Sequence, residues 1–194
     1  MNGILDRRAS THAPILDVLA ERWSTRIFDE SASLDEAALA SALEAARWAP
    51  SASNTQPTRF IVARRGGAAH AAVLDALTGF NGAWAGDAAA LVVVVAETET
   101  EDGTARPWSL YDVGQAAAHF TVQAHADGLF THQMGGFGVD AIRDAFELPA
   151  HLRPATVIAV GALGDAANAS DALRDRENAP RTRRPVAESL LVDA

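Results

Sequence analysis

The segment from Leu91 to Val95 constrains the fold more than any other part of the chain. It is a continuous apolar run in which a leucine precedes four valines. β-Branched residues favour strands, and a strand that is apolar at every position is buried on both faces. The segment from Ala155 to Val160 has a similar pattern and is closed by Gly161. We therefore expect a small sheet whose two faces are covered by other elements.

Helical patterns supply the covering layers. Pro14 suits the first turn of a helix that runs to about Arg22, and Ser33 followed by Glu36 forms a capping box at the start of a second helix. Residues 109–126 read as one long, alanine-rich helix. The sum is an α+β architecture with helices around a small sheet. Further elements are predicted at 60–63 (strand), 67–78 (helix) and 140–146 (helix).

Composition narrows the chemistry that the chain can perform. It contains no cysteine, and all 16 of its basic residues are arginine. Thiolate nucleophiles, thiolate-bound metals and lysine Schiff bases are therefore excluded. The net charge of −9 argues against general nucleic-acid binding, which needs a basic surface. An anionic small molecule would have to be held by a local cluster of arginines and backbone N–H groups.

Size and hydropathy bound the organisation of the chain. Its 194 residues suit a single domain. The longest purely apolar run, Ala88 to Ala96, is too short for a membrane span, which needs about 20 residues. The N-terminus lacks the basic-then-apolar order of a secretion signal, so we expect a cytoplasmic protein. Residues 168–194 have little periodicity, which predicts either disorder or an arm lying on another surface.

Two polar clusters follow predicted helices. In the first, Arg22, Ser24 and Arg26 alternate, so an extended backbone would place them on one side. Two guanidinium groups and a hydroxyl there could hold a phosphate and a ring carbonyl. The second cluster is the loop Pro50–Pro57, in which Asn54 and Gln56 could read the polar edge of a heterocycle. Each cluster could also be an ordinary solvated loop.

Two weaker elements follow. The glycine-dense turn Met134–Gly138 would let the backbone approach a flat ring closely. A basic cluster around Arg181 and Arg183 stands out in an acidic chain. Taken alone, the first resembles many turns and the second a solvated tail.

In this order, the segments resemble the nitroreductase family of FMN-dependent oxidoreductases over nearly the whole chain. The specific parts are Arg-x-Ser-Thr-Arg-x-Phe-Asp from Arg22 and Pro-Ser-x-x-Asn-x-Gln-Pro from Pro50. The resemblance implies a three-layer α+β fold, a central mixed sheet flanked by helices, and an intertwined homodimer embraced by the arm 168–194. It also implies one FMN at each of two sites along the dimer interface.

The resemblance assigns site residues position by position. Arg22, Ser24 and Arg26 would hold the phosphate, the ribityl chain and the pyrimidine edge of the flavin. Asn81 would reach the polar rim of the ring. The remaining implied cofactor residues are Pro50, Ser51, Ala52, Ser53, Asn54 and Gln56 in the loop, Gly135 and Gly136 in the glycine turn, and Arg181 and Arg183 in the arm.

The chain departs from the family at two positions. Trp84 stands where some members carry a lysine, so one positive donor near the flavin is missing and Arg26 is expected to stabilise the reduced cofactor. Thr58 stands where an aromatic residue is common in the family, so the resemblance leaves the substrate preference open.

The implied activity is reduction of nitroaromatic, quinone-like or other electrophilic acceptors by NADH or NADPH through a ping-pong mechanism. No side chain need act as a nucleophile or base, and no metal is expected. Candidate substrate contacts are Trp108, Tyr111 and Phe137, although each could equally belong to the core. The alternative is an FMN-binding carrier or sensor without turnover, since the bulky Trp84 could hinder an acceptor.

Overall fold

The computed structural model describes residues 7–192 of the chain. The strands are β1 (Thr58–Arg64), β2 (Ala90–Glu97), β3 (Phe130–Met134) and β4 (Leu152–Gly161). The α-helices are α1 (Asp17–Glu21), α2 (Glu36–Arg47), α3 (Ala68–Asp75), α4 (Ser109–Ala126), α5 (Val139–Ala145) and α6 (Asp171–Asn178). Within the described residues, no helix has the length and apolarity needed to cross a membrane.

The four strands form one sheet in the order β1-β2-β4-β3, and every pairing between them is antiparallel. The expectation of a mixed sheet is therefore wrong for these strands. Parallel pairing within residues 7–192 is confined to an isolated bridge between Ser24 and Thr131. A continuous apolar run reports burial on both faces, and it carries no information about the direction of the neighbouring strand.

Burial on both faces is confirmed, because every residue of β2 is buried. Val92 and Val94 face one core, which includes Leu39 of α2 and Phe120 of α4. The alternate residues Leu91, Val93 and Val95 face a second core, which includes Val73 of α3 and Ile142 of α5. The period of two along the strand thus separates the interior into two apolar layers.

The helix boundaries follow the sequence with three corrections. Helix α1 begins at Asp17 and not at Pro14, and helix α3 ends at Asp75, before the expected end at 78. Helix α4 occupies residues 109–126 as predicted. Helix α2 begins later than expected, because Asp35 and not Ser33 is its N-cap. The Asp35 carboxylate accepts hydrogen bonds from the backbone N–H groups of Ala37 and Ala38, both at 3.0 Å. Two elements that the pattern did not reveal, β3 and α6, also form.

We predict that Asp35→Ala lowers the free energy of unfolding by about 1 kcal/mol, because two helical N–H groups lose their acceptor. The matched change Ser33→Ala removes a hydroxyl without a capping role and should leave stability within about 0.5 kcal/mol. Urea unfolding of both variants measures the difference. A larger loss of stability for Ser33→Ala than for Asp35→Ala would show that Ser33 caps the helix, as the sequence predicted.

Candidate functional site

The segment from Arg22 to Arg26 leaves α1 in an extended conformation and lies beside β3. Its parallel bridge to Thr131 fixes the alignment. Nδ1 of His132 lies 2.8 Å from the carbonyl oxygen of Thr25. Because a carbonyl only accepts, Nδ1 carries the proton in this contact. The segment is therefore attached to the sheet edge through both backbone and side chain.

Five of the expected cofactor residues line one cavity of about 490 Å³, which we call the arginine cleft. They are Arg22, Ser24, Arg26, Arg181 and Arg183. The first three follow α1, and the last two lie in the chain beyond α6. The fold thus brings the basic clusters from the two ends of the sequence together.

The cleft concentrates positive charge that is not neutralised locally. Burial, followed by the charge of Arg183, lowers the pKa of Arg22. Burial also lowers the pKa of Arg181, and the charges of Arg22, Arg7 and Arg183 add to that effect. Nε of Arg22 is buried without a hydrogen-bond partner among the described residues. An anion in the cleft would relieve this repulsion and supply the missing acceptors.

Glu177 is the buried acid that holds the cleft together. Its side chain is on α6, and the residue is only 2% exposed. Oε1 accepts a hydrogen bond from Nε1 of Trp23 at 2.5 Å, and Oε2 accepts one from the backbone N–H of Arg26 at 2.9 Å. The two bonds join the C-terminal helix to the segment that carries Ser24 and Arg26.

The arm continues from α6 along the same surface. Arg181 donates hydrogen bonds to the carbonyl oxygens of Arg7 and Ala20. The guanidinium of Arg176 lies over the ring of Phe80, 4.3 Å from its centroid, and so reaches the turn that carries Asn81. Residues 171–183 are therefore ordered by contacts to three distant segments.

Asn81 and the glycine turn lie in contact with each other. Nδ2 of Asn81 donates to the carbonyl oxygen of Gly136 at 3.1 Å. A Cβ at Gly136 would lie 2.8 Å from that nitrogen, so the close approach requires glycine. Gly135 is exposed, and a Cβ there would meet no atom within 4 Å. The backbone at Gly135 is thus open to a ligand.

The loop Pro50–Pro57 has an unusual backbone. Ser53, Asn54 and Gln56 have positive φ angles of 52°, 55° and 47°. Left-handed conformations at residues other than glycine cost on the order of 1 kcal/mol each and cluster at functional sites. The loop compensates with internal bonds, such as the one from the N–H of Gln56 to Oγ of Ser51 at 3.0 Å.

Two side chains outside the loop fix its shape. Asp112 on α4 is 3% exposed, and its Oδ2 accepts a hydrogen bond from the N–H of Ala52 at 3.0 Å. Arg106 donates to the carbonyl oxygen of Thr55 at 2.8 Å and is paired with Glu97 at 3.1 Å. The loop is therefore preformed in the isolated chain.

The structure does not bring the loop to the arginine cleft of the same chain. Pro50, Ser51 and Ala52 instead line a separate cavity with Trp108 and Tyr111. Both aromatic side chains are exposed, by 62% and 66%, and their rings are T-shaped with centroids 6.5 Å apart. Cofactor residues expected from sequence thus fall into three groups within one chain: the arginine cleft, the turn with Asn81, Gly135 and Gly136, and the loop.

Two further expectations are resolved by packing. Phe137 is half-buried against the second core, and its backbone bridges to Leu77, so it does not stand free as a pocket wall. Trp84 is 1% exposed and stacks on Phe28, with ring centroids 6.1 Å apart. Its ring contacts His132 on another side, at 4.6 Å between centroids. Trp84 therefore belongs to the core and does not project from the surface.

Sequence reasoning missed Glu177 and Asp112 as site residues. No local pattern distinguishes Glu177, because α6 is charged along its length and the partners of Glu177 are about 150 residues away. Asp112 lies in the first turn of α4. Acidic residues are common in the first turn of any helix, so its position gave no sign of a further role. Within residues 7–192, no group of three or more His, Asp or Glu residues is arranged to hold a metal ion.

We predict that Glu177→Ala lowers the free energy of unfolding by about 2–4 kcal/mol, because two half-buried donors lose their charged acceptor. Glu177→Gln should cost less, since an amide oxygen can still accept one of the two bonds. Asp175→Ala removes the same charge from an exposed position on α6 and is the control. Equal urea-unfolding curves for Glu177→Ala and Asp175→Ala would contradict the role of Glu177.

We also predict a pH dependence that involves His132. Burial, the largest cause, lowers the pKa of His132 below its usual 6.5. The unfolded chain then binds a proton near pH 6.5 that the folded chain binds only at lower pH, so stability falls as the pH drops through 6.5. His132→Gln should reduce this loss. It should not abolish it, because burial also lowers the pKa values of His70 and His125.

The free energy of unfolding is measured by chemical denaturation between about pH 5 and 8, a range that spans the usual histidine pKa. The buffers contain no phosphate. An unchanged pH slope in His132→Gln would show that His132 is not responsible.

Comparison with known proteins gives the family. The nitroreductase family model matches residues 19–162. An uncharacterized 15.4 kDa protein in the ask 5′ region of Mycolicibacterium smegmatis is 39% identical over 132 residues, which are 64% of this chain and 88% of that protein.

Solved structures agree with this assignment. The structure of an oxidoreductase containing FMN is similar with a TM-score of 0.87 and 30% identity, over 94% of this chain and 93% of the other. A nitroreductase family protein of Clostridium difficile 630 has the same fold, with a TM-score of 0.72 and 22% identity, over 94% of this chain and 99% of the other. Since the family model covers most of the sequence, the chain belongs to the nitroreductase family.

Proposed function

We propose that this protein is an FMN-dependent oxidoreductase. It takes electrons from NADH or NADPH and passes them to nitroaromatic, quinone-like or other electrophilic acceptors in a ping-pong sequence. The observation that carries the proposal is the arginine cleft, in which cations from both ends of the sequence surround one cavity of about 490 Å³. The similar oxidoreductase that contains FMN supports the choice of anion.

The cleft residues suit a phosphorylated flavin. Arg22, Arg181 and Arg183 offer the bidentate donors that a phosphate monoester accepts. Ser24 would add a hydroxyl for the ribityl chain, and Arg26 would be the cation that favours negative charge on the pyrimidine edge. The fit also accounts for the unpartnered Nε of Arg22. When bound, FMN would supply the hydride-transfer chemistry.

In this proposal the protein's own residues orient the flavin and shield it. Gly135 and Gly136 would let a flat ring approach the backbone, and Asn81 fixes the shape of that turn through its bond to Gly136. His132 is neutral at pH 7, since burial lowers its pKa, so it adds no charge to the site. No side chain is required as a nucleophile or general base in this proposal.

A homodimer is part of the proposal. The preformed loop Pro50–Gln56 does not line the arginine cleft of its own chain, so we propose that it completes the cleft of a second copy. Large apolar side chains exposed in the single chain would be covered there, because contiguous exposed apolar surface marks interfaces. They include Leu16 just before α1, Trp48 after α2, Trp108 and Tyr111 at α4, and Leu191 and Val192 in the arm.

The alternative of a carrier or sensor without turnover has lost its specific support. The carrier hypothesis assumed that the bulky Trp84 side chain hinders the approach of an acceptor. That side chain instead packs within the core against Phe28. The two functions separate in one experiment. The purified protein is loaded with FMN under anaerobic conditions, reduced nicotinamide is added, and the visible absorption band is followed. In an enzyme, reduced nicotinamide bleaches the bound flavin and a quinone then restores its colour. In a carrier, the flavin stays yellow.

We predict that Arg26→Ala retains less FMN and is reduced more slowly by NADPH, because a cation near the flavin is lost. The expected weakening is about tenfold, the effect of one partly exposed charge-assisted hydrogen bond. Arg143→Ala on α5 makes the same charge change outside the cleft and is the control. Unchanged flavin content and reduction rate in Arg26→Ala would remove this residue from the site.

We predict that truncation after Pro185 weakens the dimer but leaves the phosphate contacts. It deletes the exposed apolar residues of the arm and retains Arg181 and Arg183. Truncation after Asn178 removes these arginines as well and should also lose FMN. Sedimentation equilibrium and flavin absorbance measure the two effects. A full-strength dimer after the first truncation would contradict the role of the arm.

A further inference from the structure

Two charged side chains from outside the loop Pro50–Pro57 hold it at two points. Oδ2 of Asp112 accepts a hydrogen bond from the N–H of Ala52 at 3.0 Å. Arg106 donates a hydrogen bond to the carbonyl oxygen of Thr55 at 2.8 Å. Asp112 belongs to the first turn of α4, and Arg106 lies in the segment just before that helix. Both anchors of the loop therefore lie at or next to the start of α4.

The part of the loop with the unusual backbone lies between these anchors. Ser53 and Asn54 have positive φ angles of 52° and 55° and follow Ala52 directly. Such a backbone persists only where the surrounding contacts impose it. Both side chains are exposed, and within residues 7–192 neither has a hydrogen-bond partner. The anchors thus hold a hydroxyl and an amide outward, where a group outside this chain can reach them.

The loop lies beside exposed aromatic side chains. Trp108 and Tyr111 line a cavity of about 490 Å³ together with the start of the loop, and Asp112 lines the same cavity. Trp48, which directly precedes Ala49 and the loop, is exposed as well. Exposed apolar surface of this kind marks an interface. In the proposed homodimer, the anchor of the loop and the contact with the second copy therefore lie on neighbouring residues of α4.

Asp112 is a buried charge whose side chain serves the loop. It is 3% exposed, and the hydrogen bond that its carboxylate accepts within residues 7–192 comes from Ala52. Burying a carboxylate is costly unless the charge is compensated. The first turn of α4 offsets part of this cost, because the N-terminus of a helix favours negative charge. The protein thus keeps a buried carboxylate at the point where it determines the position of the loop.

We propose that Asp112 is a positioning residue for the flavin of the second copy. By fixing Ala52, it presents Ser53 and Asn54 to the cofactor in the arginine cleft of the other chain. Each chain then controls the FMN site of its partner and not its own. This inference rests on the proposed function, because it assigns a residue that acts on the same cofactor through the loop. It deepens that function, because it states in which chain a change at Asp112 alters FMN binding.

The first test measures the affinity of the flavin-free protein for FMN by fluorescence titration. Asp112→Ala should weaken FMN binding about tenfold, because the loop loses a charge-assisted hydrogen bond and must be ordered when FMN binds. Asp112→Asn should retain most of the affinity, since an amide oxygen can still accept from Ala52. Asp144→Ala makes the same charge change at an exposed position of α5, outside both cavities, and should have no effect.

A mixed dimer separates action on the partner from a loss of stability within one chain. One chain carries Asp112→Ala and the other carries Arg26→Ala, each with its own affinity tag, so that two purification steps select the mixed dimer. If the loop acts across the interface, one site has neither defect and binds FMN as tightly as the unchanged protein. The other site has both defects and binds about 100-fold more weakly.

The opposite result is equally distinct. If Asp112 acts within its own chain, each site of the mixed dimer has one defect, and both bind FMN about tenfold more weakly. Two equally weakened sites, an unchanged affinity in Asp112→Ala, or a loss in Asp112→Asn as large as in Asp112→Ala would overturn the inference and leave the oxidoreductase intact. An unchanged protein that binds no FMN, or that stays monomeric, would instead refute the proposed function and this inference with it.

Discussion

The site depends on one buried carboxylate that joins the two ends of the chain. Glu177 accepts hydrogen bonds from the Trp23 indole and from the backbone of Arg26, and it lies beside a cluster of arginines. Leaving a buried donor without its acceptor is costly, so these bonds are worth more to the fold than a surface pair would be. Through them, residues without a core of their own become part of a defined cleft.

The same cleft concentrates positive charge in a protein that is acidic as a whole. The net charge of −9 repels anions at long range, but screening limits that effect to about 8 Å at physiological salt. Within the cleft, Arg22, Arg181 and Arg183 outnumber the single carboxylate of Glu177. Burial, followed by repulsion between the arginines, lowers the pKa values of Arg22 and Arg181. An anionic ligand bound in the cleft would relieve the repulsive part of this effect.

Much of the fold could be predicted from local sequence patterns. The valine run at β2 and the alanine-rich α4 were identified because their burial and periodicity are strong over a whole element. Strand β3 was missed because it is a short edge strand of mixed polarity, whose pairing with β4 is a tertiary contact. Strand direction could not be predicted either, since burial on both faces is compatible with either orientation.

The sequence selected residues that the fold groups in one cleft, but it did not reveal the residues that hold this cleft together. The family pattern selected Arg22, Ser24 and Arg26, and the fold places them in one cleft with Arg181 and Arg183. From the sequence, residues 168–194 were expected to be either disordered or an arm lying on another surface. Helix α6 forms there because Glu177 finds partners that are distant in sequence, which no local window can reveal. Likewise, the role of Asp112 depends on a contact across 60 positions.

The most direct test of the central claim compares the affinities of the flavin-free protein for FMN and for riboflavin, which differ by the phosphate alone. If the arginine cleft holds that phosphate, FMN should bind at least about 100-fold more tightly, the effect of about two charge-assisted contacts. The advantage should shrink as salt is raised from 0.05 M to 0.5 M, a range chosen because screening strengthens across it. Equal affinities for the two flavins at low salt would contradict the account.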